Sequence, residues 1–237
     1  MQSMIKTESN SENNIKNVCK FCGKKFTREK SFLNHTCMYK TRYDNKDTNV
    51  AKLAFYMWQE SNKKVYMHYK FDVDLLDKFI KGREYTHYTK VAEYLFNIHC
   101  PDIMQYINWA MDNHFKYKTW CNDDCYKEWL LDYIYKELPT DAIIRSLETL
   151  QKIATKNNIE VDKVYTVVYG MYLGNLVKMG RISPWFLYTT KLGNTMIANL
   201  SEDFKYYLRD YLNDAAWGVK IKCTPSFGDI ASLLRSI

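Results

Sequence analysis

Cys19-Lys20-Phe21-Cys22-Gly23-Lys24-Lys25-Phe26, followed by Phe32-Leu33-Asn34-His35-Thr36-Cys37, decides how the amino end of this 237-residue chain folds. Three thiols and one imidazole fall within 19 residues. Zn²⁺ takes four nitrogen or sulfur ligands in a tetrahedron, and a Cys-x2-Cys pair followed at this distance by a His is a recurrent way to supply them. Gly23 stands directly after the second thiol, where such a turn asks for a residue that tolerates positive φ. Cys37 is the one ligand nearby that completes the set with Cys19, Cys22 and His35. On a continuous helix, residues two apart point about 200° from each other. His35 and Cys37 therefore face one ion only if the helix ends or unwinds at His35–Thr36, which predicts a short helix over roughly Glu29–His35.

The stretch resembles the C2H2-type zinc finger family in a Cys-Cys-His-Cys form. The resemblance implies a ββα unit with Phe26 and Phe32 packed above a structural zinc. The family commonly places a second His or a Cys three to five residues beyond the first His, where this chain has Tyr39 and Lys40 with Arg42 following; Cys37 departs from that spacing. By the family's pattern Arg28, Lys30, Ser31 and Asn34 face bases, with Arg suited to guanine and Asn to adenine. Lys24, Lys25, Lys40 and Arg42 meet phosphates. One finger reads about three base pairs, so further specificity has to come from elsewhere.

Charge placement points the same way. The net charge is +7, and between Val18 and Arg42 seven Lys and Arg stand against a single acid, Glu29. Almost all of the chain's excess positive charge thus sits on the finger, which suits a polyanionic partner. Expected partners are nucleic acid, DNA rather than RNA, and alternatively a host or viral protein. No apolar run reaches the ~18 residues of a bilayer span, so no membrane partner is expected. The first 17 residues hold no apolar stretch of the signal-peptide kind. Seven cysteines make no disulfide-like framework, and a reducing, cytoplasmic setting is expected.

The expected fold is mainly α: a small N-terminal ββα zinc finger followed by an all-α multi-helix domain. Residues 1–17 are polar and charged and read as a disordered tail. The finger occupies 18–40, a polar linker 41–48, and the helical domain 49–237. Val50, Leu53, Ala54, Met57 and Trp58 form one apolar stripe. Asp72 or Asp74 starts a short helix through Phe79 and Ile80. Pro101 suits a helix's first turn, Asn122 and Thr140 read as caps, and Glu160–Met179 reads as one long apolar helix ending at Gly180. Ser226 and Asp229 form a capping box for the last turns. With 20 Tyr and 16% aromatic residues, the core is expected to be aromatic-rich.

Other candidate sites are thinner. Cys121 and Cys125, four apart, share a helix face and would need His114 or His99 to bind a metal. Arg181 and Trp185, at a stiff corner around Pro184, offer a phosphate clamp and a base-stacking ring. There is no P-loop, no dinucleotide glycine fingerprint and no nucleophile elbow. The whole chain also resembles an uncharacterised protein family of large tailed bacteriophages. Lys81-Gly-Arg-Glu-Tyr85, Ile144-Arg-Ser-Leu147 and Gly180-Arg-Ile-Ser-Pro-Trp185 carry that resemblance, which implies a host-cell cytoplasm as the setting. The expected function is a zinc-stabilised, non-enzymatic nucleic-acid-binding accessory protein. The alternatives are a protein-interaction adaptor and a DNA-acting enzyme with the finger as targeting arm.

Overall fold

The computed structural model describes residues 17–65 and 75–224. The expected helix start at Asp72 or Asp74, the Ser226 capping box and nearly all of the tail lie outside them. The protein is mainly helical, with a single two-stranded antiparallel sheet near its amino end among the described residues. No helix among them is long and apolar enough to cross a membrane. All seven cysteines are free thiols.

The chain divides into two compact units, Met1–Thr86 and His87–Ile237. In the first, strands β1 (Asn17–Val18) and β2 (Lys25–Phe26) pair Asn17 with Phe26 and Val18 with Lys25. Helix α1 (Glu29–Leu33) follows. Helix α2 (Met38–Asp44) then occupies most of the stretch expected to end the finger and begin a linker. Helix α3 (Asn49–Val65) buries Ala51, Ala54 and Met57. Its capping residue is Thr48, whose hydroxyl accepts from the Ala51 N–H. Helix α4 (Leu75–Lys81) buries Phe79 and Ile80, and helix α5 (Tyr85–Asn97) begins in this unit. Phe55, Trp58, Phe79 and Tyr85 form its aromatic cluster.

The second unit continues through α6 (Ile103–Asp112), α7 (Asp123–Lys136), α8 (Pro139–Asn157), α9 (Gly170–Lys178), α10 (Pro184–Thr189), α11 (Lys191–Ala198), α12 (Glu202–Tyr207) and α13 (Asp214–Lys222). Its core is built on Trp120, Trp129, Trp185, Trp217, Tyr106 and Phe186, all fully buried. Two buried tyrosines satisfy their hydroxyls on backbone carbonyls. Tyr106 donates to the Trp120 carbonyl at 2.6 Å and Tyr126 to the Met179 carbonyl at 2.9 Å.

Three local expectations are corrected. Asp102, not Pro101, opens α6, its carboxylate accepting from the Gln105 N–H. Leu138 precedes α8, and Pro139 rather than Thr140 supplies the start by sitting at its first position. The apolar run Glu160–Met179 is broken into a 3-10 turn (Val161–Thr166) and α9, with Tyr169 extended at φ −140° and Gly170 at φ +51° at the junction. Periodicity records which residues are apolar and is blind to that sign change.

His99, His114, Asn158 and Gly180 end their helices in one way. Each takes positive φ, and the next residue's N–H reaches back to a carbonyl five positions earlier, as Phe115 does to Ala110 at 2.9 Å. Gly193 has a different task. A Cβ there would lie 2.3 Å from the Phe186 carbonyl and 2.6 Å from the Leu187 Cα. The close approach of α10 and α11 needs the missing side chain, so Gly193→Ala is expected to cost about 1–3 kcal/mol. Denaturant unfolding followed by tryptophan fluorescence measures it.

Candidate metal centre

The centre is assembled from three short pieces of backbone. The Cys19–Cys22 turn is closed by the Cys19 N–H on the Lys24 carbonyl at 2.9 Å and the Gly23 N–H on the Cys19 carbonyl at 2.8 Å. Gly23 has φ +71° and nothing near a hypothetical Cβ, so conformation rather than space selects glycine there. Helix α1 stops at Leu33 with Asn34 as its cap, and residues 35–37 are non-helical. That release lets His35 and Cys37 turn toward the same point as the two knuckle thiols.

The ligand atoms of Cys19, Cys22, His35 and Cys37 all lie within 4.8 Å of one another. The Cys22 Sγ and His35 Nε2 are 3.3 Å apart. Ligands at about 2.3 Å (S) and 2.0 Å (N) from a tetrahedral Zn²⁺ would be separated by about 3.5 Å. Donor chemistry and spacing therefore fit a four-coordinate soft or borderline ion. Cys19 and Cys37 are buried together with Phe26, and Phe21, Cys22, Phe32 and Tyr39 pack against them. Phe26 meets Phe32 edge-on at 5.7 Å and the His35 ring at 4.9 Å.

The thiols are electrostatically unequal. The Cys22 N–H, with that of Phe21, hydrogen-bonds the Cys19 sulfur and holds its pKa down at about 6 against the opposing effect of burial. At Cys22 the Lys24 N–H pulls downward, but burial and the neighbouring Cys19 and Cys37 thiols outweigh it and leave the pKa raised. Three thiols crowded at one point favour a cation that relieves their repulsion.

Around this core, Lys20, Lys24, Lys25, Arg28, Lys30, Ser31, Asn34 and Lys40 are all exposed. Lys20 and Lys24 lie over the rings of Phe21 and Phe26. Lys40 has Asp44 at 4.0 Å one turn on, with both side chains mostly in water, a weak pairing. Arg42 is placed differently from the expectation of a phosphate contact. Its guanidinium donates to the carbonyls of Ile80 and Gly82 and to the Thr86 hydroxyl, so these donors are taken up within the chain.

The other candidates do not form sites. Trp185 is 1% exposed and packs edge-on against Trp217, so no base reaches its face, and Arg181 is half-buried. The corner they occupy is a packed one. The Glu137 side chain is buried; its carboxylate accepts from Arg145 and Ser183, both at 2.6 Å, while Arg145 also donates to the Gly180 carbonyl at 2.8 Å. Ser146 accepts from the Ser183 N–H. This buried polar group was missed from sequence because its members lie up to 46 residues apart. Cys125 is buried against the Tyr106 hydroxyl. His99 and His114 are exposed helix-ending residues, and no second cluster of metal-ligating side chains occurs among the described residues.

No known protein family, curated protein or solved structure gives a match to this chain.

Proposed function

We propose that the protein is a zinc-stabilised nucleic-acid-binding accessory protein, with one Zn²⁺ held by Cys19, Cys22, His35 and Cys37. The observation that carries this reading is a compact four-ligand cluster wrapped in exposed cations. A site with four protein ligands leaves no open position for water, so the ion serves as a staple rather than a catalyst. The surface it stabilises presents Arg28 at the mouth of α1, Lys30 and Ser31 on its first turns and Asn34 at its end. Lys24 and Lys25 flank them. With Arg42 engaged by the Ile80 and Gly82 carbonyls, the phosphate-facing set is Lys24, Lys25 and Lys40, joined by Lys20.

DNA is the favoured polyanion, and a tailed-bacteriophage setting rests on the three sequence segments given above. Binding is tested by salt titration on duplex DNA. Neutralising about four phosphates makes affinity fall with a log–log slope of about −3.6. Lys24→Ala combined with Lys25→Ala is expected to weaken binding on the order of tenfold or more and to flatten the slope, with zinc content unchanged. Affinity indifferent to salt, or to the double substitution, would overturn the reading in favour of a protein-binding finger.

A further inference from the structure

Arg42 ties the metal centre to the helices that follow it. Cys37 is both a ligand and the residue that opens α2; its carbonyl accepts from the Thr41 N–H at 3.0 Å and the Thr41 hydroxyl at 3.3 Å. Wherever the Cys37 sulfur is held, the first turn of α2 is held with it. Tyr39 packs back on the thiol and phenylalanine core, and Tyr43 meets Phe21 of the knuckle at 5.6 Å. Helix α2 is therefore part of the finger's small interior rather than a spacer after it.

From that helix Arg42 reaches the end of α4. Its Nη1 donates to the Ile80 carbonyl at 2.8 Å and the Gly82 carbonyl at 3.3 Å, and its Nη2 to the Thr86 hydroxyl at 3.2 Å. The guanidinium also lies 4.4 Å from the centre of the Tyr85 ring. A helix leaves its last carbonyls unpaired and its carboxyl end negative, and an Arg fork answers both needs at once. The contact continues through rings: Tyr85 to Phe79 at 4.9 Å, and Phe79 to Trp58 at 5.6 Å. Trp58 in turn donates its indole N–H to the Glu84 carboxylate at 2.9 Å.

We propose that metal occupancy of the four-ligand centre governs the order of residues 75–86, with Arg42 as the transmitting side chain. This rests on the reading that the centre holds a metal. Among the described residues the finger's interior has three buried ones, Cys19, Phe26 and Cys37, too few to persist without the ion. Without a held Cys37, α2 has seven residues and no anchor at its start, and a helix that short does not stand alone in water. The fork then leaves the carbonyls of α4. The ion thereby acts on backbone more than forty residues beyond its ligands, which gives the chain a metal-responsive element in addition to a staple.

Hydrogen exchange on the full chain tests this, comparing peptides from 17–37 and 75–86 with zinc loaded and after chelation. In the native sequence, stripping is expected to speed exchange in both segments, on the order of tenfold within 75–86. In Arg42→Ala, zinc stoichiometry and protection of 17–37 are retained, 75–86 already exchanges fast, and stripping changes it no further. Arg42→Lys keeps the charge without the fork and serves the same test if the alanine variant folds poorly. The proposal is overturned if stripping deprotects 17–37 and leaves 75–86 untouched, or if 75–86 stays protected in both variants. Elemental analysis separates this from failure of the metal reading itself, in which no zinc is found and chelation changes neither segment.

Discussion

Arg145→Ala is expected to destabilise the C-terminal unit by about 3–5 kcal/mol at neutral pH, the cost of leaving a buried charge without its partner. The Glu137 side chain is 3% exposed and that of Arg145 19%, so water replaces little of what is lost. Burial already raises the Glu137 pKa, and Arg145 is the strongest of the groups opposing that rise. Without the guanidinium, the rise goes less opposed. An acid whose folded pKa lies above its unfolded value contributes stability that is complete below the unfolded pKa and is lost as pH climbs through the folded one. The deficit of Arg145→Ala is therefore largest near pH 7 and shrinks as pH falls toward about 4.3, the ordinary glutamate value. Urea unfolding at several pH values measures both the size and the trend. A deficit independent of pH would show that the loss comes from the Gly180 carbonyl contact and packing on Tyr133 instead.

Cys37→Ser is expected to have the other large effect. Structural zinc contributes on the order of 10–16 kcal/mol to units of this size, and each ligand is needed to keep the shell closed. Replacing a thiolate by a hydroxyl should lower affinity by several orders of magnitude and unfold residues 17–37 at ordinary metal concentrations. Competition with a chromophoric chelator reads the affinity. Cobalt substitution reads the shell directly: an intact Cys3His set gives the intense visible absorption of tetrahedral cobalt with thiolate charge transfer. Cys223→Ser, at an exposed thiol far from the cluster in sequence, should leave both readouts as they are. Equal affinity in Cys37→Ser would mean that the ion is held by another set.

The metal cluster could be read from sequence because its chemistry is local: four ligands in 19 residues, with the His35–Cys37 spacing demanding a break in the helix. Helix α1 stops at Leu33. The mainly helical body was equally visible in the apolar spacing of Ala54 and Met57 and in the Asn122 cap. What escaped depends on distant partners. Arg42 looks like a phosphate contact until the carbonyls of Ile80 and Gly82, some forty residues on, take up its donors. Trp185 looks like a stacking platform until Trp217 closes over it. Gly170 did carry a signal, a glycine inside an apolar run, but only backbone geometry shows that it reverses the sign of φ.

The anchoring of Met38–Asp44 through Arg42 also bears on how the amino-terminal module would meet the proposed target. A finger on a floppy leash samples every orientation and surrenders that freedom on docking, a cost set against its contacts. Here Arg42 ties the helix after the cluster to the end of α4 and the start of α5. On the proposed reading, such mounting trades reach for readiness, because encounter then needs little rearrangement.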